Sequence, residues 1–155
     1  MIAELFLPHG LALDDEAAWV PQAEGVWFRP LILNVTQGYY VNLLRVRREG
    51  VLSRHRHLGP VHAFTLRGQW RYLEHDWTAS AGSYVFEPPG ETHTLTVPGG
   101  TTDMITLFHV TGGYMYVDQA GVVTGCEDVH TKLAAARRHC QPGSRDATAL
   151  ERLIR

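Results

Sequence analysis

Between Gly50 and Gly68 the chain reads Gly-Val-Leu-Ser-Arg-His55-Arg-His57-Leu-Gly-Pro-Val-His62-Ala-Phe-Thr-Leu-Arg-Gly. In an extended chain residues two apart point the same way, so His55 and His57 offer two imidazoles to one side while Arg56 faces the other. Imidazole suits zinc, copper, iron or nickel, and two rings at this spacing can share one ion. A third imidazole arrives in Gly82-Ser-Tyr-Val-Phe-Glu-Pro-Pro-Gly90-Glu-Thr-His93, where a strand ends at a Pro/Gly turn and the next begins with a histidine. From a neighbouring strand His93 can close the site. His62 begins a strand that Phe64 and Leu66 continue inward; it is a fourth candidate, as a direct ligand or as a group hydrogen-bonded behind one. Glu74-His75-Asp76 could also hold a metal, although after Trp70 and Tyr72 it reads more simply as a solvated hairpin. Glu91 could serve as an acid or base, with an exposed turn carboxylate as the plainer reading. His109, His130 and His139 lack partner spacing and read as structural.

These side chains need rigid strands to hold them. From Gly25 to Gly125 short runs of Val, Leu, Phe, Tyr and Thr alternate with Gly, Pro and Asp breaks, as in an all-β barrel or sandwich. Tyr40 to Arg47 reads as one strand with Arg45 and Arg47 outward and Tyr40, Asn42, Leu44 and Val46 inward. Tyr40, Asn42, Phe64 and Phe108 are candidates to line a substrate pocket, with plain packing as the alternative. Asp118 to Gly121 predicts a hairpin turn. Beyond Gly125 the period changes: Val129, Leu133, Ala136 and Cys140 form a helical stripe ended by Pro142-Gly143, and Ser144 can cap a last short helix.

The 155 residues and 17.4 kDa fit one domain, 1–155. Fourteen Lys+Arg against sixteen Asp+Glu leave a net charge of −2, so no basic excess favours nucleic acid as a partner. The longest stretch free of charged side chains, Pro30 to Leu44, contains Asn34, Gln37 and Asn42 and does not read as a membrane span. The N-terminal segment lacks a basic-then-apolar leader, and two late cysteines do not make a disulfide framework, which together point to a cytoplasmic protein.

The His-x-His spacing, and Gly82-x5-Pro88-x-Gly90-x2-His93, match the two motifs of the cupin superfamily, except that His62 stands where the first motif usually has Glu and Val97 replaces an optional Asn. Longer segments resemble the 2,4'-dihydroxyacetophenone dioxygenase family: Trp19 to Leu31, Asn34 to Arg47, His55 to His57, Tyr72 to Trp77, Phe86 to Leu95 and Met115 to Asp118. The cupin resemblance implies an all-β, double-stranded β-helix or jelly-roll barrel with the metal inside. Short C-terminal helices follow, so that the barrel core covers about 19–125 and a helical tail 126–155. The dioxygenase resemblance implies Fe(II) with O2 as co-substrate, cleaving an aromatic hydroxyketone to 4-hydroxybenzoate and formate. Assembly as a homodimer or higher homo-oligomer follows from the same kinship. An all-histidine set of His55, His57 and His93 leaves a divalent ion doubly positive, which suits a substrate that chelates as an anion.

Overall fold

Period-two alternation of apolar and polar residues builds twelve strands in the computed structural model of the chain, which describes residues 3–155. Met1 and Ile2, which open the segment read for a leader peptide, lie outside the described residues. The strands are β1 (Val20–Ala23), β2 (Val26–Asn34), β3 (Tyr39–Val46), β4 (Gly50–His57), β5 (Val61–Arg67) and β6 (Gln69–Tyr72). Then come β7 (Ala79–Ser80), β8 (Tyr84–Glu87), β9 (Thr92–Val97), β10 (Met104–Thr111), β11 (Tyr114–Val117) and β12 (Val123–Glu127). Two helices follow, α1 (Val129–His139) and α2 (Arg145–Glu151).

The strands form two six-stranded sheets, β1-β2-β3-β10-β5-β8 and β12-β11-β4-β9-β6-β7, whose named ladders are all antiparallel. This corrects the expected jelly-roll barrel: each sheet ends in free strands, and among the described residues no ladder joins one sheet to the other. The end strands are poor templates for closure. β7 has two residues, β1 carries Pro21, and β8 stops at Pro88-Pro89, where no backbone N–H is available to continue pairing. The sheets instead share one buried core that takes Phe28, Leu33, Tyr40, Val61 and Met104 from the first and Trp70, Tyr72, Leu95 and Val97 from the second.

The outer face of β3 is also covered. Arg45, expected outward, is 2% exposed and donates to both carboxylate oxygens of Asp103 (2.7 and 2.8 Å) and to Glu16 (3.0 Å). Trp19 lies against its guanidinium, and Leu13, Trp19 and Leu31 pack with Leu43 and Ile105 in a second small cluster. The N-terminal segment is pinned there by Arg29, which donates to the carbonyls of His9 and Ala12.

Helix α1 starts from a reciprocal cap, with Asp128 Oδ1 accepting from Thr131 N–H at 2.8 Å and Thr131 Oγ1 accepting from Asp128 N–H at 2.9 Å. Arg137, Arg138 and His139 occupy its last turn, where cations complement the helix dipole. Ser144 caps α2, and the C-terminus closes on β2 through Leu33 N–H to Leu153 O (2.9 Å) and Arg155 N–H to Leu33 O (3.0 Å). No helix among the described residues is long and apolar enough to cross a membrane.

Candidate metal centre

His55 and His57 project from β4 into the space between the sheets, and His93 on β9 is the direct cross-strand partner of His55. Their ring centroids stand 4.8, 5.0 and 5.1 Å apart, a nearly equilateral triangle. All three rings are buried, at 4%, 4% and 1% exposure. His55 Nε2 and His57 Nε2 converge to 3.1 Å. Ser53 Oγ sits 3.1 Å from His55 Nδ1, and a proton held there leaves the His55 Nε2 lone pair free for a cation. Burial, then repulsion from His57, pulls His55 down to about 3. Burial likewise carries His93 to about 3 against the opposing pull of Glu87. Both rings are therefore neutral donors near pH 7. Tyr72 stacks flat on His93, with centroids 3.7 Å apart and planes 3° off parallel, and fixes that ring's orientation.

The fourth member of the cluster comes from the opposite sheet. Glu87 ends β8 beside Val61 of β5, on the core face, and is 2% exposed. Its Oε2 lies 2.9 Å from His57 Nε2 and 3.4 Å from His93 Nε2, yet neither contact has hydrogen-bond geometry. Both Glu87 oxygens and both His93 ring nitrogens are buried without a hydrogen-bond partner. A carboxylate and an imidazole lone pair left without donors in a dry interior would be costly in a purely structural cluster, and a divalent cation satisfies both. Three imidazoles and one carboxylate make a donor set that fits iron or zinc. Sequence reasoning missed Glu87 although a signal was present: on β8, Tyr84 and Phe86 are exposed and Val85 and Glu87 turn inward, so the carboxylate occupies the buried phase.

The structure does not bring His62 to this cluster. On β5, Val61, Ala63 and Thr65 are buried, and His62 and Phe64 face the opposite side of the sheet. There His62 stacks with Tyr84 and His109, its Nδ1 2.8 Å from Tyr84 Oη, and Phe64 is 45% exposed. Small inward residues on β5 leave room for Trp70, which is fully buried and donates to Thr65 Oγ1 at 2.9 Å. Of the pocket candidates, Tyr40, Asn42 and Phe108 line a cavity of about 310 Å³ that opens onto His55 and His57, and Phe64 does not. Leu44, Leu52, Leu95, Val110 and Tyr114 complete most of its apolar wall. A second grouping, His75, Glu91 and His93, shares one ring with the first, but its His75 and Glu91 are 31% and 40% exposed. Glu74, beside them, accepts from Thr94 N–H and Oγ1–H and ties the β6–β7 connection to β9.

Residues 10–115, more than half of the chain, match the family described as the ChrR cupin-like domain. No curated protein matches. Among solved structures, an RmlC-like cupin protein from Ralstonia eutropha JMP134 is 30% identical, with a TM-score of 0.75 over 79% of this chain and 80% of its own. An acetylacetone dioxygenase from Acinetobacter johnsonii shares the fold at 19% identity, with a TM-score of 0.75 over 87% of this chain and 92% of its own. The anti-sigma protein ChrR from Rhodobacter sphaeroides, in complex with SigE, aligns at 22% identity and a TM-score of 0.51, over 70% of this chain and 69% of its own.

Proposed function

We propose, this chain being a member of the ChrR cupin-like domain family, that it is a non-haem iron dioxygenase. Its reaction would cut the bond between the ketone and hydroxymethyl carbons of an aryl α-hydroxyketone such as 2,4'-dihydroxyacetophenone. One O2 is consumed, and 4-hydroxybenzoate and formate carry away all its atoms. The observation that carries the reading is the buried His55-His57-His93 triangle, with Glu87 beside it, whose His55 and His57 lie on the wall of a largely apolar, aromatic-lined cavity. A solved dioxygenase with this fold adds support.

Fe(II) held by these four side chains would supply Lewis acidity and one electron toward O2. The chain's own residues prepare the rest. Neutral imidazoles leave the charge of a divalent ion untouched and a carboxylate removes one unit, so the set balances a substrate that binds as a monoanion through its carbonyl and deprotonated hydroxyl oxygens. That revises the doubly positive, all-histidine site read from the sequence. Ser53 holds the His55 Nδ1 proton and Tyr72 fixes the His93 plane, keeping both rings aimed inward. Leu44, Leu95, Phe108 and Val110 exclude water and accept the flat face of an aryl ring. Asn42 Oδ1, buried and without a partner, offers a hydrogen-bond acceptor to a substrate hydroxyl.

Protein purified and loaded with Fe(II) without oxygen should take up one O2 per 2,4'-dihydroxyacetophenone, and labelled O2 should leave one atom in each fragment. Methylating the substrate's aliphatic hydroxyl should suppress turnover far more than deleting the ring hydroxyl. Cleavage with no label in either fragment would refute oxidative scission. A second reading, a ligand-sensing cupin, is favoured by the family's description and by the fold shared with ChrR. A sensor binds the ketone without consuming O2, so the same electrode trace separates the two.

A further inference from the structure

Lys132, the only lysine in the sequence, is 2% exposed and lies on the cavity side of α1 between Val129 and Leu133. Its Nζ contacts Gln22 Oε1 of β1, stands 3.5 Å from Glu127 Oε2 of β12 and sits 4.5 Å over the Phe28 ring. Burial pulls it down to about 8, against the stabilising charge of Glu127. A buried ammonium is expensive unless each donor finds an acceptor, and this one has three N–H groups with two oxygens in reach. Lys132, Gln22, Glu127 and Tyr116 line the same cavity as His55 and His57. A polar path joins the two groups: Tyr114 packs on His55, its Oη is 3.5 Å from Tyr116 Oη, and Tyr116 feels both Glu127 and Gln22. Asn42, with its unpartnered Oδ1, lines the cavity as well.

We infer that Lys132, braced by Glu127 and Gln22, forms a second binding subsite in the cavity that takes an acidic oxygen at the end of the substrate remote from its chelating atoms. The acidic oxygen is a phenol or a carboxylate on the aryl ring. This rests on the cavity being the substrate site, and is independent of which bond is cut. Lys132 is a specificity residue: it ranks aryl ketones by their ring substituent and leaves the chelating end to the histidines. Of the other titratable groups facing it, burial raises Tyr40 and Tyr116 and keeps them neutral, which leaves Glu127 as its charged neighbour. Arg48 is the other cation on the cavity lining.

Three probes are titrated by calorimetry into oxygen-free, metal-loaded protein: 2-hydroxyacetophenone, its 4'-hydroxy form and its 4'-carboxy form. The wild type should bind at least one substituted probe about 10-fold or more tighter than the bare ring, the range expected of a hydrogen bond to a charged group. Lys132→Met should level that preference while affinity for 2-hydroxyacetophenone stays the same; whichever probe loses more identifies the acidic group. A merely structural lysine would weaken all three probes alike. If Lys132→Met does not fold, the wild type's preference for the carboxylate probe over the bare ring, which shares the same chelating end, should fall as pH rises through about 8. No wild-type preference, or a preference that survives Lys132→Met and vanishes in Arg48→Met, would overturn the assignment. Binding is read without O2, so absent cleavage would count against the dioxygenase reading alone.

Discussion

Replacing Glu87 by Gln should raise the stability of the metal-free protein and sharply cut the stability gained from metal. Without metal both Glu87 oxygens are buried without hydrogen-bond partners, and Oε2 lies 2.9 Å from His57 Nε2 and 3.4 Å from His93 Nε2. An unsatisfied buried polar group costs about 1–3 kcal/mol. A glutamine of the same shape carries no charge and so escapes the larger desolvation cost of an unpartnered buried carboxylate. For a domain of this size, 1 kcal/mol corresponds to roughly 2–4 °C in Tm, so the metal-free variant should melt about 2–12 °C above the wild type. With metal the order of gains reverses. A divalent ion at a hundred times Kd stabilises the wild type by about 2.7 kcal/mol. Loss of a ligating carboxylate should weaken binding at least as much as loss of a supporting group, on the order of 10–100-fold. A 100-fold loss leaves a gain of about 0.4 kcal/mol at the same metal concentration. Differential scanning calorimetry with and without Fe(II) or Zn(II) measures both increments. A variant that is less stable without metal, yet gains as much from metal as the wild type, would show that Glu87 is a packing residue and would sink the four-ligand site.

Other substitutions test the same geometry. His93→Ala should abolish metal retention in a folded protein, whereas His62→Ala, on the outer sheet face, should leave metal content at wild-type level; elemental analysis of both decides. Gly113 has φ +90°, and a Cβ there would run into the Glu127 carbonyl and the Asp128 backbone. Gly113→Ala should therefore cost on the order of 2–4 kcal/mol from left-handed strain plus overpacking, read as a fall in denaturation midpoint. Asp103 is held below the usual carboxylate range: burial works to raise it, but hydrogen bonds from Arg45 and Arg67 outweigh that. A depressed acid stabilises the fold fully above its unfolded value near 3.8 and loses that contribution as pH falls through the folded value. Arg45→Met should flatten this acid-side loss in a pH series of unfolding midpoints; an unchanged acid limb would show that the pair carries no pH-linked stability.

The parts of the site readable in the sequence were those governed by local spacing. His55 and His57 share a face because a strand repeats every two residues, and the Pro/Gly turn before His93 starts the very strand that pairs with β4. The hairpin at Asp118–Gly121, the Ser144 cap and the start of α1 were legible for the same reason, since turns and caps are made by residues a few positions apart. Lys132 lies three residues beyond Val129 on the buried face of α1, but a lysine there breaks the apolar pattern by which sequence marks a buried face.

Which face of a strand turns inward was settled by tertiary packing. β5 places its small residues inside, against Trp70, and its large ones outside, the reverse of what size and hydrophobicity suggest. On β3 both faces are buried, because the N-terminal segment folds over the outer one and traps Arg45 between Asp103 and Glu16. Three of the four end strands are poor partners for closing the sheets: β7 has two residues, β1 carries Pro21 and β8 stops at Pro88. Glu87 joins three histidines from the opposite sheet, and Lys132 reaches the same cavity from a helix beyond both. The sequence alone determined the strand period that sets the histidines on one face. Contacts between layers obey no residue spacing, and so only the packed structure decided which carboxylate stands beside the three histidines, which polar groups surround Lys132 and the side of each strand that meets them.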